Sequence, residues 1–207
     1  MKKKRLVIYV QGASYLSTSS KPLKKIISIL YDIVRTKPNY SVSLPVWLTK
    51  KTFACDKIVT LPWKENINPL SKIGAIERLE KMIEAYKKEY EIILVGTSLG
   101  GDIVLETAEN IKGSNIKSVF LIGSINESRN INLKKVKVFN IVSNNDTLEK
   151  IGIEIFAPIS GSVILKGKRV KNIVLSGLRH DQLHQNEFIP NGKYKGQRLS
   201  NIIKANI

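Results

Sequence analysis

The chain has 207 residues, 43% of them apolar and 25% charged, proportions of ordinary globular proteins that exclude a disordered or membrane-embedded class. Its single cysteine, Cys55, rules out an internal disulfide framework, and His180 and His184, the only histidines, are too few for a closed zinc site. The net charge of +17 invites a polyanionic partner, but beyond Lys2 to Arg5 the cations are scattered pairs, such as Lys24 with Lys25 and Lys134 with Lys135, which argues against a nucleic-acid surface.

In chain order, Leu6 to Val10 is a short apolar, β-branched run, expected to be a buried strand and too short for the core of a signal peptide. No stretch approaches the roughly 18 apolar residues of a transmembrane helix, so the expected location is the cytoplasm. A loop over Gln11 to Ser20 leads to an amphipathic helix from Pro22 to the break at Pro38. Strands are expected at Val42 to Leu48 and Lys57 to Leu61, limited by Pro45, Pro62 and Pro69. Ser71 to Glu89 repeats Ile73, Ile76, Leu79, Met82, Ile83 and Tyr86 at helical spacing. The apolar run Glu91 to Val95 then enters Gly96-Thr97-Ser98-Leu99-Gly100-Gly101, and a further helix follows, ending near Gly113. Val119 to Ile122, Val136 to Val142 and Asn172 to Leu175 complete the strands. Strands alternating with helices imply a three-layer α/β/α sandwich with a mostly parallel central sheet, because parallel neighbours need crossover connections. No linker divides residues 1–207, so a single domain is expected.

The chemistry centres on Ser98. A Gly-x-Ser-x-Gly match alone is weak, but here the serine stands between an apolar strand and an amphipathic helix, the setting the motif requires. A sharp strand-to-helix turn strains the serine backbone, and side chains at Gly96 and Gly100 would collide. With this motif the chain resembles the α/β-hydrolase family, from Leu6 to about His184, through strand order and three separated motifs.

The resemblance implies the chain order serine, acid, histidine. Ser98 would be the nucleophile; Asp146, in Ser143-Asn144-Asn145-Asp146 after a late strand, the acid; and His180, in Ser176-Gly177-Leu178-Arg179-His180 after the last strand, the base. His180 would accept the serine proton while Asp146 fixes its tautomer. Asp181 and Glu149 are lesser candidates for the acid, and His184 competes with His180. The oxyanion hole would combine the Leu99 N–H with one from the early loop, Ala13 by position, with Gly12 and Ser14 open as alternatives because the loop begins Gln11-Gly12 where the family often has His-Gly. Asp102 suits the dipole of the elbow helix, and Trp47, Phe53 and Trp63 are either pocket or core residues.

The reading implied is a serine hydrolase of carboxylic esters or thioesters, in the range of carboxylesterases, thioesterases and lipase-like enzymes. It needs neither metal nor organic cofactor, and its partner is a small-molecule acyl substrate. Gly123 to Lys135 leaves no room for a cap domain, so a comparatively open cleft is expected, walled by Tyr40 to Pro69 and by Ile151 to Leu165. An acyltransferase with the same triad and a basic binding protein on a hydrolase scaffold are the alternatives. A phosphate loop lacks its lysine here, and a dinucleotide fold lacks the ordered glycine spacing.

Overall fold

The first strand, β1, runs over Lys4–Val10, and five of its seven residues are buried. It belongs to the computed structural model of the chain, which describes residues 3–12, 44–61, 69–111, 115–124, 130–145, 164–180 and 182–207. The other strands are β2 Lys57–Thr60, β3 Tyr90–Thr97, β4 Ile116–Ile122, β5 Lys137–Ser143 and β6 Val170–Leu175. They form one sheet in the order β2-β1-β3-β4-β5-β6. Every pairing among them is parallel. A parallel strand covered on both faces must be apolar on both, which is why the central strands β1, β3 and β4 each carry a run of consecutive apolar residues.

The apolar residues alternate between two cores. Leu6, Ile8, Ile92, Leu94, Val119 and Leu121 face one side, where they meet α2 (Pro69–Tyr86) and α3 (Leu99–Asn110). Val7, Tyr9, Ile93, Val95, Phe120 and Ile122 face the other, against Trp47, Phe53 of α1 (Lys50–Phe53), Leu183 of α4 (Gln182–Gln185) and α5 (Leu199–Lys204). The three-layer α/β/α arrangement is thus present. Helix α5 is too short to persist alone in water. It is held by burial of Leu199, Ile202 and Ile203, each worth about 1.5–3 kcal/mol.

Several expectations are corrected. Residues 44–48 are not strand: the chain turns there, with Leu48 N–H bonded to Pro45 C=O. Proline cannot donate to a sheet ladder, and the indole of Trp47 is drawn into the core instead. Helix α2 begins at Pro69, which suits a first helical position, and stops at Tyr86. Ile73 is more than half exposed, and Ala75 takes the buried place on that face. Trp47 and Phe53 are fully buried core residues. The expected helix over Pro22 to Pro38, Trp63 and all but the last two residues of the segment Ile151 to Leu165 lie outside the described residues. No helix among the described residues is long and apolar enough to cross a membrane.

Candidate active site

Because all six strands are parallel, their carboxyl ends share one edge, the place where loops of an open α/β sheet assemble a site. Ser98 stands on that edge between β3 and α3, half-buried, with φ 50° and ψ −129°. L-residues avoid this backbone region, and holding one there costs about 1–3 kcal/mol. The surroundings impose it: Ser98 N–H donates to Ile122 C=O at 3.2 Å, and Gly101 N–H donates to Ser98 C=O at 2.9 Å.

Close approach explains the flanking glycines. A Cβ on Gly96 would strike the backbone of Gly100 and Gly101, and one on Gly100 would strike the carbonyl oxygens of Val10 and Gln11. The elbow is therefore wedged between its own helix and the end of β1. Gly12 completes the contact, since a Cβ there would stand 2.5 Å from Ser98 Cβ. The sequence reading missed one neighbour. Ser124 is fully buried, donates to Gly96 C=O at 3.3 Å and fills the space a Gly101 side chain would need. The paired glycines 100 and 101 were the available signal, but the identity of the group packed on them has no local trace.

Leu99 is the first residue of α3, where amides have no acceptor within the helix and are directed outward. Ala13 and Ser14 lie outside the described residues, but Gly12 can be judged: its N–H donates to Thr97 Oγ1 at 3.3 Å and so is committed away from Ser98 Oγ. Asp102, in the first turn of α3, favours the helix dipole as expected and also pairs with Lys72 of α2 at 2.5 Å.

The loops after β5 and β6 are stitched together. The fully buried Ser143 hydroxyl donates to Leu178 C=O at 2.5 Å and accepts from Asn145 N–H. Gly177 N–H donates to Asn145 Oδ1 at 2.8 Å, and Asn144 N–H to Leu175 C=O. Asp146 is the residue immediately after this clasp and lies outside the described residues, as do Glu149 and Asp181. His180 is half-buried in the turn before α4, a turn closed by reciprocal bonds between Arg179 and Gln182. His184 falls within α4 itself.

With strands about 4.8 Å apart, β6 is about 14 Å from β3, so a base after β6 must reach back over β4 and β5. His180 lies five residues beyond Leu175, and five extended residues span at most about 17 Å, which suffices. The bonds from Gly177 and Leu178 to the β5 loop lean the segment in that direction. Trp47 supports it from below, donating its indole N–H to Leu183 C=O at 2.6 Å. Among the described residues no group of three or more His, Cys, Asp or Glu could hold a metal ion.

No protein-family model matches the chain. No curated protein matches it in sequence. Solved structures do. An esterase from Pyrobaculum calidifontis is similar over 99% of this chain and 77% of its own, with a TM-score of 0.53 and 13% identity. An alpha-beta serine hydrolase homologue from Coxiella burnetii is similar over 100% of this chain and 87% of its own, with a TM-score of 0.50 and 13% identity. The chain shares the α/β-hydrolase fold of these two structures.

Proposed function

We propose that the chain is a serine hydrolase that cleaves carboxylic esters or thioesters through an acyl-serine intermediate. The observation that carries the reading is the backbone of Ser98: φ 50° at a strand-to-helix junction, on the carboxyl edge of a parallel sheet, with glycines on both sides where no Cβ fits. Strain of this size persists where surrounding structure imposes it, and it concentrates at reacting groups.

In this reading Ser98 Oγ attacks the acyl carbon as His180 takes its proton, and Asp146 orients the imidazole and stabilises its charged form. The negative charge on the carbonyl oxygen is met by the Leu99 N–H and, from the early loop, the Ala13 N–H, the Gly12 N–H being already bonded. Collapse expels the alcohol or thiol, which takes the proton from His180, and water then releases the acid by the same path.

The test is turnover of a graded series of p-nitrophenyl esters and one acyl thioester by purified protein and by Ser98→Ala. Hydrolysis by the native chain, lost by about 10³-fold or more in the variant, supports the reading. Turnover unchanged in Ser98→Ala overturns it. Absence of hydrolysis with transfer of the acyl group to an added alcohol would favour an acyltransferase.

A further inference from the structure

Under the Ser98 elbow lies a buried polar group that packing does not require. Thr97, the last residue of β3, and Tyr9 of β1 are both essentially inaccessible to solvent. Their hydroxyls are 3.0 Å apart, and Gly12 N–H donates to Thr97 Oγ1 at 3.3 Å. The Tyr9 ring is itself held edge-on against Trp47 at 6.4 Å between centroids. A valine has nearly the shape of threonine and suits a central strand as well, without a hydroxyl that must be satisfied when buried. A threonine oxygen offers one donor and two acceptor sites, so it can take the Gly12 N–H and still share a bond with Tyr9.

We propose that Thr97 is a positioning residue for the oxyanion hole: its hydroxyl, steadied by Tyr9, fixes the Gly12 peptide against Ser98. The inference rests on the serine-hydrolase reading above. It follows from two contacts. Gly12 packs directly on Ser98, so a shift of that peptide alters the loop relative to the nucleophile. Its N–H donates to Thr97, so in this reading Gly12 anchors the loop rather than serving as its oxyanion donor.

The test compares native protein with Thr97→Val, Thr97→Ser and Tyr9→Phe, reading p-nitrophenyl acetate kinetics, the rate of fluorophosphonate labelling, the melting midpoint and hydrogen exchange of the Gly12 amide. Thr97→Val is expected to lower kcat and the labelling rate between about tenfold and a hundredfold, with KM within about twofold, because a misplaced oxyanion donor acts on the transition state. Its Gly12 amide should exchange faster. Thr97→Ser should restore both readouts to within about threefold, since the hydroxyl is regained. Tyr9→Phe should shift both in the same direction as valine and carries the test if Thr97→Val does not fold. Native rates and unchanged Gly12 exchange in Thr97→Val overturn the proposal, as does a Thr97→Ser variant as impaired as valine. If native protein neither labels nor hydrolyses, the parent reading fails, and Gly12 exchange alone then decides whether the Thr97 hydroxyl fixes the loop.

Discussion

At the scale of single residues, the elbow depends on contacts that leave no room for even a methyl group. A Gly100→Ala change places Cβ against the carbonyl oxygens of Val10 and Gln11, which are backbone and cannot swing aside. We expect it to destabilise the fold by about 1–3 kcal/mol, measured by chemical denaturation, and to cost more activity than that stability loss explains. Ser124→Ala removes a donor to Gly96 C=O without adding bulk, so its expected cost is about 1 kcal/mol with activity largely retained. The need for glycine at 96 and 100 was legible because the motif has a steric reason that applies wherever a strand turns sharply into a helix. The Gly101 contact with Ser124 was not. It joins residues on different elements, and nothing in the intervening sequence marks the meeting.

At the scale of elements, strands β3 to β6 were readable as buried β-branched runs, but β3, β4 and β6 extend beyond the apolar stretch at their amino ends, whereas β5 starts one residue after the expected Val136 and runs on to Ser143. Tyr90, Lys117 and Lys137 lie on the half-exposed amino edge, where hydrogen bonding continues after burial has ended. Residues 44–48 misled because Val46, Trp47 and Leu48 look like strand residues, whereas Val46 is exposed at a turn and Trp47 is buried for packing and for its bond to Leu183. The clasp between the loops after β5 and β6 was equally hidden, since Ser143 and Asn145 look like common turn residues. Ser143→Ala leaves Leu178 C=O without its buried donor, an expected loss of about 1–3 kcal/mol, measured by thermal denaturation. In the proposed mechanism that change also loosens the histidine segment from the acid loop, leaving the Gly177 bond to Asn145 as a tie. Ester turnover in Ser143→Ala should therefore fall below that in a surface variant of equal stability.

At the scale of the whole molecule, the three-layer plan followed from alternating strand and helix patterns, and the degree of parallelism in the sheet was understated: every pairing among its six strands is parallel. Helix α5 went unread because six residues carry too little periodicity, although Leu199, Ile202 and Ile203 have the right spacing. The two helices on the elbow's face are fastened by Lys72 of α2, which bridges Asp102 at 2.5 Å and Glu106 at 2.8 Å of α3. Burial pulls the Lys72 ammonium down, but its hydrogen bonds and charge interactions with Asp102 and Glu106 outweigh that and raise its pKa above the ordinary 10.5. A folded-state value above the unfolded one stabilises fully below pH 10.5, and the contribution is lost as pH rises through the folded value. The melting-point gap between native protein and Lys72→Met should thus be constant from pH 7 to 9 and narrow above about pH 10.5. A gap that widens in alkali would show that Lys72 does not hold the helices as a cation.

The central claim is that Ser98 is an activated nucleophile, and its most direct measurement is covalent labelling by a fluorophosphonate, with the adduct located by mass spectrometry in native protein, Ser98→Ala and His180→Ala. We predict a single adduct on Ser98, none in Ser98→Ala, and labelling slowed by about 10³-fold or more in His180→Ala. Folded native protein that stays unlabelled, or that carries its adduct on another residue, would contradict the account.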